Sequence, residues 1–141
     1  MRQILLFAAL TASLSLLAGC ALSKAKADTA EDMPGKAAYH KISAEEAHEK
    51  MMASQEVVVV DVRTREEYDG GHIENAVLVP NESIGGEMPE ALPDKEATLL
   101  IYCRSGRRSK DAAQKLLELG YQSVYDFGGV IDWPYELVKE G

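Results

Sequence analysis

Residues Thr98–Gly120 read TLLIYCRSGRRSKDAAQKLLELG, and this segment decides the fold. The apolar run Leu99-Leu100-Ile101-Tyr102 predicts a strand that delivers Cys103 to the head of a short loop, Arg104-Ser105-Gly106-Arg107-Arg108. From Ser109 the apolar spacing turns helical. Ala112, Ala113, Leu116 and Leu117 share one face, and Gly120 stands where a helix C-cap belongs. A cysteine between a strand and a helix N-terminus is chemically distinctive. Successive backbone N–H groups, the positive end of the helix dipole and nearby guanidinium groups all favour its thiolate. A free cysteine titrates near ~8.5, and such surroundings lower that to about 3.5–7.5. Cys103 is therefore the candidate nucleophile.

The flanking sequence repeats the strand-to-helix alternation. Ser43-Ala44-Glu45-Glu46 and Thr64-Arg65-Glu66-Glu67 both carry the capping-box pattern of a helix start. Val57–Val60 is a continuous β-branched run, suited to a strand covered on both faces. Val77-Leu78-Val79 is a short strand that Pro80 ends, and Ser123–Phe127 is a further strand. Gly128-Gly129 then turns the chain into Val130–Lys139, where Trp133 is expected on the core and Pro134 near a helix start. Asn81–Pro93 reads as loop with a short helix. Strands alternating with helices predict a three-layer α/β/α fold around a central parallel sheet of about five strands.

Asp61-Val62-Arg63 falls at the carboxyl end of a strand, where open α/β sheets place functional loops. The alternative is a structural ion pair of Asp61 and Arg63 pinning neighbouring loops, and for Arg63 that is the favoured reading. His72 invites a role as general base to a thiol, whereas His48 has no metal partner in sight and reads as a surface residue. No metal-ligand cluster, phosphate-binding glycine motif or internal repeat is present in the sequence, so neither metal nor cofactor is expected.

The 141 residues carry a net charge of −8, which argues against nucleic acid as a partner. Against that background Arg104, Arg107, Arg108 and Lys110 cluster with no acid among them. Cations are disfavoured at a helix N-terminus. Their concentration there points to a small-anion site, the alternative being a solvated loop.

The N-terminus reads as an address. Arg2 supplies a positive start, Ile4–Ala18 is an uncharged and largely apolar run, and Leu17-Ala18-Gly19-Cys20 closes it. That ending resembles the bacterial lipobox, which implies removal of residues 1–19 and acylation of Cys20. The alternative is an uncleaved anchor, weakened by Thr11, Ser13 and Ser15. Residues 20–38 form the lipidated terminus and a flexible tether rich in Ala, Lys, Asp and Glu, leaving 39–141 as the domain. Ala21 after the lipobox implies, in the manner of diderm lipoproteins, a place on the periplasmic face of the outer membrane. With Cys20 acylated, Cys103 is the sole thiol, and its place at a strand end before Arg-Ser-Gly predicts shallow burial.

CRSGRRS, DVRTREEYDGGHIENAVLVP (Asp61–Pro80) and GGVIDW (Gly128–Trp133) together resemble the three ordered signatures of the rhodaneses, the sulfurtransferase family. The resemblance implies a persulfide on Cys103, with Arg104, Ser105, Gly106, Arg107 and Arg108 binding substrate. It makes the donor a small sulfur anion such as thiosulfate and the acceptor cyanide, a thiol or a protein. It also implies a structural rather than catalytic His72. Glu74-Asn75-Ala76 stands where the family usually has a glycine turn, and Asn tolerates the left-handed conformation such a turn needs. Protein tyrosine phosphatases also use a Cys-headed anion cradle, but with five residues between Cys and Arg. Here four intervene between Cys103 and Arg108, a six-residue loop that in the family accompanies sulfur transfer. The remaining alternative is a sulfur-carrier or binding module without turnover.

Overall fold

The capping boxes form as the sequence predicts, and they fix where two helices begin. In the computed structural model, which describes residues 37–139, Ser43 Oγ accepts the Glu46 N–H while Glu46 accepts the Ser43 N–H. Thr64 and Glu67 make the same reciprocal pair. These pairs start α1 (Ala44–Ala53), which follows β1 (Ala38–Lys41), and α2 (Arg65–Asp69), which follows β2 (Val57–Asp61). β3 (Val77–Leu78) leads through a 3-10 turn at Asn81–Ser83 and a long connection to β4 (Thr98–Cys103). Then come α3 (Arg107–Glu118), β5 (Ser123–Gly129) and a 3-10 turn at Val130–Asp132.

The strands form one parallel sheet in the order β1-β5-β4-β2-β3, the rhodanese-type three-layer arrangement expected. β4 is central, paired on one side with β2 and on the other with β5. Its side chains alternate between two cores. Leu99, Ile101 and Cys103 pack with Ala112, Ala113 and Leu116 of α3, while Leu100 and Tyr102 pack with Ala47 of α1 and Tyr68 of α2. Burial on both faces is why β2 and β4 are near-continuous apolar runs rather than alternating ones.

Gly120 closes α3 as anticipated. At φ 95° its N–H bonds to Leu117 O and the Tyr121 N–H to Leu116 O, a Schellman motif. Asn75 takes the left-handed conformation expected of it, at φ 62°.

Three features differ from the sequence-based expectation. α3 begins at Arg107, two residues ahead of Ser109, so Arg107 and Arg108 belong to its first turn. Val130–Lys139 holds no helix at Pro134. After its 3-10 turn, Val138 pairs antiparallel with His72, whose N–H and C=O bond to Val138 at 2.9 and 2.8 Å. Trp133 does pack against Phe127, with ring centroids 5.6 Å apart. Finally β1 has no sequence signal of its own, because a four-residue edge strand with one half-buried face shows no usable periodicity. The leader, Cys20 and the tether up to residue 36 lie outside the described residues.

Candidate active site

β4 ends on Cys103, and the chain turns back at once. Gly106 adopts φ 99° and ψ −16°, a left-handed conformation that a side chain would strain, and its N–H points back at Cys103 Sγ from 3.0 Å. β5 supports the turn from below. Opposite Ile101 and Tyr102 it carries an extra residue, Phe127, so that Gly128 and Gly129 come level with Tyr102 and Cys103. Gly129 then lies flat against the loop backbone, where an added Cβ would stand 2.6 Å from Ser105 Cα. The Ile131 N–H bonds to Arg104 O and ties the loop down a second time. Cys103 is consequently 1% exposed, contrary to the shallow burial expected of it. A strand-end position says nothing about a loop that folds over its own cysteine.

Burial alone pushes the Cys103 thiol up. Against it act the Ser109 and Gly106 N–H groups, the Ser109 hydroxyl and the Ser105 N–H, and together they hold the thiol below its ordinary value. The origin of these donors is the helix end. α1 and α2 satisfy their first N–H groups with capping side chains, whereas the N-cap of α3 is Gly106, which has none to offer. The orphan N–H groups of α3's first turn are thus left for the sulfur.

The basic residues separate by environment. Arg104, Ser105 and Arg107 are exposed, and no hydrogen bond or ion pair holds the Arg104 side chain among the described residues. Arg108 is half-buried and grips Glu67 with both terminal nitrogens, at 2.7 and 2.8 Å. It is also close enough to sense the Cys103 charge. Glu67 is a residue that sequence reading assigned only to a helix cap.

Asp61 and Arg63 take up the structural pairing. Both are buried, joined at 2.6 Å, with Tyr102 Oη donating to Asp61 and Arg63 donating to Gly71 O. Both Asp61 carboxylate oxygens are already engaged, Oδ1 by Arg63 and Oδ2 by Arg63 and the Tyr102 hydroxyl. His72 stacks on Tyr68, and its Nδ1 shares a hydrogen bond of 2.9 Å with the Tyr68 carbonyl. His48 is not merely a surface residue, since its ring stacks on Tyr135 at 3.8 Å. Ser109 and Asp126, both buried, join the site without having been singled out in the sequence. Ser109 directly follows the quoted loop and could have been found there. Asp126 could not, because only the β4–β5 register brings it alongside.

Residues 43–134 match the rhodanese-like domain family. The thiosulfate sulfurtransferase PspE of Escherichia coli is 36% identical over 80 residues, 57% of this chain and 77% of that protein. The tRNA uridine(34) hydroxylase of Yersinia pestis is 31% identical over 107 residues, 72% of this chain. The chain spans only 30% of the length of that hydroxylase. Among solved structures, one described as a rhodanese with anions from E. coli is similar at a TM-score of 0.54 and 34% identity, covering 60% of this chain and 99% of that one.

Proposed function

The chain belongs to the rhodanese-like domain family, and on that premise we propose that it is a sulfurtransferase carrying sulfane sulfur as a persulfide on Cys103. The observation that carries this reading is the tight closure of the loop, with the Gly106 N–H 3.0 Å from Cys103 Sγ. Amides converging so closely suit one additional sulfur atom better than a tetrahedral phosphoryl group. The likeness to a thiosulfate sulfurtransferase over 57% of the chain supports the same reading. The hydroxylase activity named for the Yersinia protein belongs to a chain of which this one spans less than a third.

The transfer has two steps. The Cys103 thiolate attacks the outer sulfur of thiosulfate, an S–S bond forms to Cys103, and the S–S bond of thiosulfate breaks with its electron pair leaving on sulfite. Cyanide or a thiolate then attacks the outer sulfur of the persulfide, and the electron pair of that S–S bond returns to Cys103. Amides of Ser105 to Arg108, with that of Ser109, hold the charged sulfur in both states. Arg104 is the first candidate for the dianionic donor, being unpaired beside the nucleophile, with Arg107 and Arg108 behind it. Intact mass spectrometry after thiosulfate treatment tests this. One added sulfur on the wild type and none on Cys103→Ser is the expected result. No adduct, with hydrolysis of an aryl phosphate instead, would reverse it.

The remaining readings are proposals from the sequence. Residues 1–19 are a lipoprotein signal, Cys20 carries the lipid, and residues 20–37 tether the rhodanese domain, which starts with β1 at Ala38, to the cell envelope. Two acyl chains give stable anchoring, and the residues from 21 to 37, fully extended, reach about 60 Å. In a diderm source the domain faces the periplasm from the outer membrane. There it meets small sulfur anions, thiols or cyanide, or a protein acceptor.

A further inference from the structure

At the carboxyl edge of the sheet the connections diverge. The chain leaving β1 turns to α1 on one face, whereas the loop leaving β4 turns to α3 on the other. Between them, over the carboxyl ends of β1 and β5, lies an open cleft of about 660 Å³. Diverging connections at this edge of a parallel sheet are where α/β folds take their ligands, and the volume is that of a small-molecule site.

The cleft adjoins the sulfur loop. Ser105 and Gly106 of the loop line it, as do Gly128 and Gly129 of β5. Gly129 is the register partner of Cys103, one strand spacing of about 4.8 Å away. Gly106 is the residue whose N–H stands 3.0 Å from Cys103 Sγ. Three of these four residues carry no side chain, so the cleft meets the loop as bare backbone.

The lining holds charges of both signs. Lys41 Nζ leans over Gly128, where an added Cβ would stand 3.1 Å from it, and lies 3.4 Å from Asp126 Oδ1. Asp126 is buried and already accepts from the Tyr39 hydroxyl, the Ser109 hydroxyl and the Gly128 N–H, so it serves the cleft as the anchor of Lys41. Lys110 from α3 and Asp132 from the 3-10 turn after β5 are exposed on the lining, with Glu45 a further acid. Neither Lys110 nor Asp132 makes an ion pair or side-chain hydrogen bond among the described residues. Unpaired charges of opposite sign around one cleft suit a ligand that carries both an ammonium and a carboxylate.

We propose that this cleft seats the sulfur acceptor, and that the acceptor is a zwitterionic thiol, an amino acid or short peptide whose carboxylate meets Lys110 and Lys41 and whose ammonium meets Asp132. The inference rests on the sulfurtransferase reading and specifies the acceptor for it. The seated thiolate attacks the outer sulfur of the persulfide, a new S–S bond forms, and the electron pair of the old one returns to Cys103. The acceptor leaves as its own persulfide. Thiosulfate has no cationic group for Asp132 to hold, so the two half-reactions draw on different residues.

The test is discharge of the persulfide by four small thiols, followed by intact mass spectrometry on the full chain after loading with thiosulfate. Cysteine as the free amino acid carries both charges, mercaptopropionate only the carboxylate, cysteamine only the ammonium, and mercaptoethanol neither. Each rate is divided by that for mercaptoethanol in the same variant, which removes any change in the persulfide itself. Lys110→Ala is expected to lower this ratio roughly fivefold for cysteine and mercaptopropionate but not for cysteamine, the scale of one exposed charged contact. Asp132→Asn should lower it by a similar factor for cysteine and cysteamine but not for mercaptopropionate. Lys41→Gln should follow Lys110→Ala with a smaller effect, since Lys41 is already engaged by Asp126. Ratios that move together for all three charged thiols, or that stay at the wild-type values in Lys110→Ala and Asp132→Asn, overturn the proposal. A wild type that takes up no sulfur from thiosulfate fails one step earlier, and that result overturns the sulfurtransferase reading instead.

Discussion

Arg108 and Glu67, 41 positions apart, meet as a bidentate pair at 2.7 and 2.8 Å that ties the first turn of α3 to the first turn of α2. A cation at a helix N-terminus is opposed by the helix dipole, and Glu67 offsets that cost for Arg108. The same carboxylate also accepts the Thr64 N–H at 3.1 Å. One side chain therefore caps a helix and fixes a residue of the sulfur loop. The loop's cations are thereby divided: Arg108 has a partner, and the Arg104 side chain has none among the described residues.

That division predicts the stability profile in acid. The Arg108 guanidinium holds the Glu67 carboxyl down to about 2, whereas an unfolded glutamate titrates near ~4.3. The sign is that of a depressed acid: the pair's contribution is complete above the unfolded value and is lost as pH falls through the folded one. Glu67→Gln is expected to lower stability at neutral pH by about 1 kcal/mol, the scale of a partly exposed bidentate pair. The difference from wild type should shrink between about pH 4 and pH 2. Thermal melts of both proteins across that range check it, and a constant difference would mean the pair contributes nothing through charge.

The division also ranks the arginines. A charge-assisted hydrogen bond to a bound anion contributes roughly 1.5–3 kcal/mol. Arg104→Ala should therefore weaken thiosulfate use at least tenfold. Arg108→Ala should cost less, since the loop amides remain and its guanidinium is already committed to Glu67. Steady-state rates decide it. A crippled Arg108→Ala beside a near-normal Arg104→Ala would place the anion elsewhere in the loop.

Gly129 is predicted to be as sensitive as the nucleophile's own loop, although it lies 26 positions away on β5. In Gly129→Ala the new methyl group meets the backbone at Arg104 and Ser105, and no flexible side chain is there to give way. Overpacking of this kind costs about 1–3 kcal/mol. The expected result is a lower melting temperature together with at least tenfold slower persulfide formation. Unchanged loading in a folded Gly129→Ala would show that the loop does not depend on β5 for its shape.

Labelling of cells with a fatty-acid analogue addresses the N-terminus. The full chain should be labelled and recovered with membranes, and Cys20→Ala should be neither. Equal labelling without Cys20 would rule out the lipoprotein reading while leaving the Cys103 chemistry untouched.

What the sequence determined by itself follows from short-range chemistry. The two capping boxes, the Schellman glycine and the left-handed Asn75 each rest on hydrogen bonds or backbone sterics spanning a few residues, so they were legible as patterns. The run into Cys103 and the change of period after it were legible for the same reason, and with them the parallel alternation of strand and helix. Tertiary structure decided what depends on register between elements. β1 acquires its role only by pairing with β5, and the C-terminal segment becomes extended because Val138 finds His72 rather than a helical partner. The extra residue at Phe127 brings Gly128 and Gly129 under the loop and sets Asp126 against Ser109. Cys103 is buried for that reason, by backbone that arrives from β5 and from its own returning loop. No spacing within CRSGRRS encodes that approach, because it is a distance between strands rather than along one.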